Sequence, residues 1–248
     1  MSRWHLFEFE DQSWLPRRLR NAMTAYLACV YGATPLPKLW AEQLASVMAD
    51  SHEDRIVDLG SGSGGPLTLI ETELKKLGRE PKIQMTDLYP RAIPGYFPNP
   101  VDATKVPETL PGVRTMFASF HHFRPNAARA ILEDAFRLRR PICVFEGSAR
   151  NPASIVGAIL IPILVLLMTP RIRPVSAFQI FFTYLIPILP LLIFWDGLVS
   201  QLRTYSVDDL REMTSGLESP GYRWEAGLIR APAFPMGVPF LTGRTQES

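Results

Sequence analysis

The chain has 248 residues, of which 47% are apolar and 20% charged, with a net charge of +2. That is the make-up of a globular protein long enough for one large α/β domain or two small ones, and it offers no general electrostatic case for binding nucleic acid. Cys29 and Cys143 are the only cysteines and form no C-x-x-C pair, which excludes a disulfide framework and fits two free thiols in a reducing compartment.

The N-terminus, MSRWHLFEFEDQSWLPRRLR, mixes acids among its apolar residues and lacks the continuous apolar core of a signal peptide, so the α/β part is expected to face the cytoplasm. Residues 12 to about 50 have helical spacing, interrupted near Gly32 to Pro37. RIVDLG then reads as a strand, SGSGGPLTLIETELKKLG as a loop opening a helix with Pro66 in its first turn, and KIQMTDL as a second strand. Residues 90 to 112 are proline-rich loop with a short strand. VRTMFASF, PICVFEG, YRWEAGLIR and VPFLTGR are further strands, and NAARAILEDAFRLRR a helix. SVDDLREMTS is another, with Ser206 as N-cap and Asp209 at the capping-box position. Strands alternating with helices predict an α/β, Rossmann-like, seven-stranded, mostly parallel sheet with helices on both faces.

Gly60, Gly62 and Gly65 fit G-x-G-x-x-G, and Gly60, Gly62 and Gly64 fit G-x-G-x-G. Either pattern lets the chain turn sharply from strand to helix and lets a ligand approach the backbone. Asp58 stands two residues before the first glycine, where a nicotinamide-binding fold has only apolar strand. Asp87 ends the next strand, placed to accept hydrogen bonds from ribose hydroxyls. Asp102 follows in VDAT. In this order DLGSGSGG, TDLYP, VDATKVP and MFASFHHF resemble the motifs of the class I S-adenosylmethionine-dependent methyltransferases, over roughly residues 55 to 147.

The resemblance implies S-adenosylmethionine as cofactor. By position it sets the methionine part against Gly60, Ser61, Gly62 and Gly64 with Asp58 nearby, the ribose on Asp87 beside Leu88, and the adenine at Asp102 and Ala103, with Ser119 also at the cofactor. The segment Ser119 to Phe123 usually faces the transferred methyl, and His121 or His122 is a candidate base; the alternative is that both shape the loop. With no N-P-P-Y motif and no Pro-Cys nucleophile, the chain is closest to the small-molecule branch, with O-methylation favoured. No His, Cys and acid cluster has metal-ligand spacing, so no metal is expected.

After the expected fifth strand, two uncharged runs, Ala153–Thr169 and Val175–Trp195, are joined by PRIRP. They read as an apolar helical hairpin inserted into the fold. The organisation expected is a helical cap at 1–50, a cofactor-binding core at 51–150, the insertion at 151–200, and a helix with the last two strands at 201–248. Twenty apolar residues span a bilayer as helix. Yet Arg171 and Arg173 would then lie on the far side from a cytoplasmic domain, against the positive-inside tendency. Shallow insertion into one leaflet through residues 153–195 fits better, with true spanning and a soluble lid or homodimer surface as alternatives. Each version points to an apolar substrate such as a lipid, quinone, fatty acid or polyketide, handled at the cytoplasmic face of a membrane. Arg203, Tyr205 and Trp195 are candidate substrate contacts, though Arg203 would equally serve a salt bridge with Asp196, Asp208 or Asp209. A membrane-anchored scaffold that binds cofactor without turnover, and a methyltransferase acting on a macromolecule, are the other readings.

Overall fold

Short β-branched runs bounded by glycine, proline and aspartate become the strands, and longer segments with 3.6-residue apolar spacing become the helices. The computed structural model describes residues 1–232 and 234–245. It divides into two units, Met1–Thr34 with Ser148–Thr204 and Pro35–Gly147 with Tyr205–Ser248.

The second, or sheet, unit has strands β1 (Arg55–Leu59), β2 (Lys82–Thr86), β3 (Val113–Phe117), β4 (Ile142–Phe145), β5 (Tyr222–Ala231) and β6 (Phe234–Thr245). Their order is β2-β1-β3-β4-β6-β5. The first four are parallel; β6 runs antiparallel to β4, and β5 antiparallel to β6. The sheet is therefore mixed and six-stranded, a correction to the seven mostly parallel strands expected. The strand foreseen between residues 90 and 112 is replaced by a single bridge from Met85 to Tyr96. Pro90, Pro94, Pro98, Pro100, Pro107 and Pro111 remove the donors a ladder would need.

Helices of this unit are α2 (Leu36–Asp50), α3 (Leu67–Lys76), α4 (Pro125–Arg137) and α9 (Val207–Thr214), the last numbered after those of the other unit. Ser206 and Asp209 form the expected capping box. One core cluster joins Leu59, Met116, Ile131, Val144, Tyr205 and Leu241. Beneath it, buried Asp134 pairs with buried Arg114 at 2.9 Å and accepts from the Val106 N–H at 3.2 Å, tying α4, β3 and the proline-rich loop together.

The helical unit contains α1 (Arg17–Gly32), α5 (Pro152–Gly157), α6 (Ile161–Met168), α7 (Ala177–Ile180) and α8 (Ile188–Arg203), with a π-helical turn at Phe181–Leu185. Its core sets Met23 and Tyr26 of α1 against Val165 of α6 and Leu189 and Ile193 of α8. The N-terminal segment is strapped to α8 by hydrogen bonds. Asp196 accepts from the N–H groups of Phe9 (2.7 Å) and Glu10 (3.0 Å), Trp195 Nε1 donates to Phe7 O (2.9 Å), and the Trp4 N–H donates to Leu202 O (3.1 Å).

Candidate active site

The sheet reverses its winding between β1 and β3, and the residues in question follow directly on carboxyl ends: Gly60 after β1, Asp87 after β2, Ala118 after β3 and Glu146 after β4. In an open parallel sheet that edge is where ligands bind. Gly60, Gly62 and Gly64 have φ of +63°, +53° and +91°, a region that disfavours side chains, and a Cβ on Gly60 or Gly62 would point into open space. The loop is held from both sides. Asp87 Oδ2 accepts from the Gly62 N–H at 3.0 Å while its Oδ1 accepts from the Tyr89 N–H at 2.9 Å, and the Tyr96 hydroxyl donates to Gly62 O at 2.9 Å. Burial and the negative charge of Asp87 push the Tyr96 hydroxyl up to about 12, so it stays a donor.

Asp58 lies buried in β1, and Thr115 of β3 donates to its Oδ1 at 2.8 Å across the point where the winding reverses. Burial raises this carboxyl from the ordinary range to about 7, outweighing the hydrogen bonds from Ser61 and Thr115. Asp102 follows Val101, whose N–H donates to Asp87 O at 2.9 Å. The Asp102 carboxylate accepts from Thr104 N and Oγ1, both at 2.8 Å.

At the end of β3 the chain adopts φ +49° at Ala118, a left-handed conformation that costs a non-glycine residue about 1–2 kcal/mol. It leads to Ser119, whose hydroxyl is buried without a hydrogen-bond partner among the described residues. His121 is buried, with Nδ1 2.7 Å from Oε2 of buried Glu146, and its ring lies 4.4 Å from that of His122.

No family model and no curated protein matches the chain. Among solved structures, the plantazolicin methyltransferase BpumL in complex with SAH is similar over 96% of this chain and 94% of its own, with a TM-score of 0.58 at 12% identity. A SAM-dependent methyltransferase from Aquifex aeolicus aligns over 82% and 88%, with a TM-score of 0.44 at 10% identity. Human N-acetylserotonin methyltransferase aligns over 86% and 54%, with a TM-score of 0.43 at 15% identity. The chain has the class I methyltransferase fold.

In this class I fold, Asp58, Gly60, Ser61, Gly62, Gly64, Asp87, Leu88, Asp102 and Ala103 come together on the carboxyl edge of the sheet, with Leu88 exposed and Ala103 buried. Ser119, His121 and His122 follow β3. The candidate substrate contacts have hydrogen-bond partners within their own units. Tyr205 is buried in the sheet core and donates to Phe123 O at 2.7 Å. Trp195 and Arg203 belong to the helical unit. Buried Arg203 donates to Leu6 O (2.6 Å) and pairs with Asp11 (2.8 Å) and Glu8 (3.2 Å).

Glu146 was missed by sequence reasoning, although a signal existed: it follows its strand directly, as Asp87 follows β2. Thr115 and Tyr96 carried no such signal, because their partners are 57 and 34 residues away.

Proposed function

We propose that the protein transfers a methyl group from S-adenosylmethionine to an oxygen of an apolar small molecule. The observation that carries this is the glycine loop, bonded to Asp87 at the reversal point of a class I fold and open where a ligand's backbone contacts would be made. The residues fit the cofactor: bare backbone for the methionine part, a carboxylate for ribose hydroxyls, and a buried acid, Asp58, beside a region that would receive positive charge. When bound, S-adenosylmethionine supplies a methyl already activated on a sulfonium.

What remains for the chain is alignment and one proton. Glu146 holds the His121 imidazole with Nδ1–H directed at Oε2, which makes Nε2 the basic nitrogen. His121 would take the proton of an acceptor hydroxyl as that oxygen receives the methyl group that bound S-adenosylmethionine would supply. Glu146 stabilises the resulting imidazolium. The reading extends to an apolar substrate, of the lipid, quinone, fatty acid or polyketide class, taken at the cytoplasmic face of a membrane. The exposed apolar helices of residues 153–195 support that extension.

The test is a tracer assay. Protein in mild detergent, labelled S-adenosylmethionine and a lipid extract should give label in the organic phase, absent with Asp87→Ala. Cofactor binding with no labelled product from any extract would favour the scaffold reading instead.

A further inference from the structure

The helical unit has an inverted surface. Val156 and Ile159 are 71% and 70% exposed, with Leu160, Ile163, Leu164 and Leu167 exposed along the same arm, α5 and α6 with their 3-10 link; on the second arm Leu185 and Leu191 are 71% and 63% exposed. The most apolar window of Pro152–Arg171 has a mean hydropathy of 2.3, yet only 17% of it is buried. An apolar face this continuous requires a partner.

Charge identifies which. The unit carries eight arginines, no lysine and four acids, a net +4, whereas the sheet unit is at −2. Arg171 and Arg173, at the turn between the apolar runs, are exposed and form no ion pair among the described residues. Phe181 and Tyr184 are exposed on the next helical segment.

Depth follows from α1. Its buried side packs on α6 and α8, and its outer side exposes Arg17, Arg18 and Asn21. A helix of 20 residues reaches on the order of 30 Å, enough to span a bilayer. If α6 and α8 spanned one, however, the cationic flank of α1 would enter hydrocarbon beside them. The second apolar arm also bends by 82° between Leu185 and Ile188, which suits a segment that turns back.

We infer that the helical unit seats in one leaflet of an anionic bilayer, apolar helices among the acyl chains and Arg171 and Arg173 among lipid phosphates. This rests on the membrane part of the function proposed above but not on its chemistry, so it is tested without cofactor. Purified protein is floated with phosphatidylcholine vesicles and with vesicles in which part of that lipid is phosphatidylglycerol. Binding to the mixed vesicles should exceed that to the neutral ones by about tenfold or more, and Arg171→Gln with Arg173→Gln should remove the difference. Leu160→Asp with Leu185→Asp, both at exposed positions, should abolish binding to either while leaving the circular dichroism unchanged. In a Cys29→Ala background, Arg171→Cys should remain reactive towards a membrane-impermeant thiol reagent added outside the vesicles. Protection of that thiol would mean a spanning helix and overturn the single-leaflet topology. A stable dimer that ignores both vesicles would overturn the lipid partner altogether. Neither result would touch the methyltransfer reading.

Discussion

The two units solve opposite solvent problems. In the sheet unit the apolar residues are inside, and the buried polar groups either hold the frame, as Arg114 with Asp134, or sit at strand ends around the glycine loop. In the helical unit many leucines and isoleucines face outwards, while Glu8, Asp196 and Arg203 are buried and bonded to one another's segments. The helical unit keeps its own small apolar core but also carries an apolar exterior, which is stabilised by surroundings that are themselves apolar. The functions proposed above divide in the same way, methyl transfer to the sheet unit and lipid contact to the helical one.

Four experiments would break or sharpen that division. The largest effect is expected at the proposed proton-transfer pair, His121 and Glu146. His121→Ala should lower kcat by about 10²–10⁴-fold while leaving cofactor affinity unchanged, and Glu146→Gln should lower it less and shift the pH–rate profile. Steady-state kinetics with calorimetric cofactor titration would separate these; loss of cofactor binding by His121→Ala would return the histidines to a loop-shaping role.

Next, Asp87→Ala removes the charge-assisted hydrogen bond from the Gly62 N–H that holds the loop, together with the local one from the Tyr89 N–H, so cofactor affinity should fall by about tenfold or more. Vesicle flotation of the same variant should be unaltered, and a change there would show that the two tasks are not separable.

Asp196→Ala tests the helical unit. It leaves the Phe9 and Glu10 N–H groups without their acceptor, at about 1–3 kcal/mol each, and should expose the first residues to limited proteolysis. An unchanged cleavage rate would mean that the strap is held by its other bonds, those of Trp4, Trp195 and Arg203.

The smallest effect is electrostatic. Burial raises both Asp58 and Asp196 to about 7, so the folded chain binds protons more tightly than the unfolded one. The resulting stabilisation is complete below pH of about 4, declines as pH rises towards 7, and is then fully lost. Melting temperature should fall across that interval, and Asp58→Asn should flatten part of the slope. S-adenosylmethionine, being cationic, should favour ionised Asp58 and release protons on binding, measurable as a buffer-dependent binding enthalpy.

Much of the sheet unit was legible beforehand because its signals are local. β1, its glycine loop and Asp87 lie within a span of 33 residues, and the capping box of α9 within four. The missing strand was partly legible too: six prolines argued against a ladder there, and the expectation of seven strands overrode them. The helical unit was legible as apolar and helical but not in its internal bonding. The partners of Arg203 lie 192 or more residues away in sequence, and no periodicity connects such positions.

The sequence by itself determined the alternation of strands and helices, the cofactor-type loop with its acids, and the existence of two greasy runs, since each depends on residues close enough to act through backbone propensity. Only the tertiary structure decided that Glu146 faces His121, that Arg203 pairs with acids of the N-terminal segment, and which apolar side chains of residues 156–191 face outwards, among them Val156, Ile159, Leu185 and Leu191. Those outcomes depend on which distant surfaces meet, a matter of packing and desolvation that no local stretch of chain encodes.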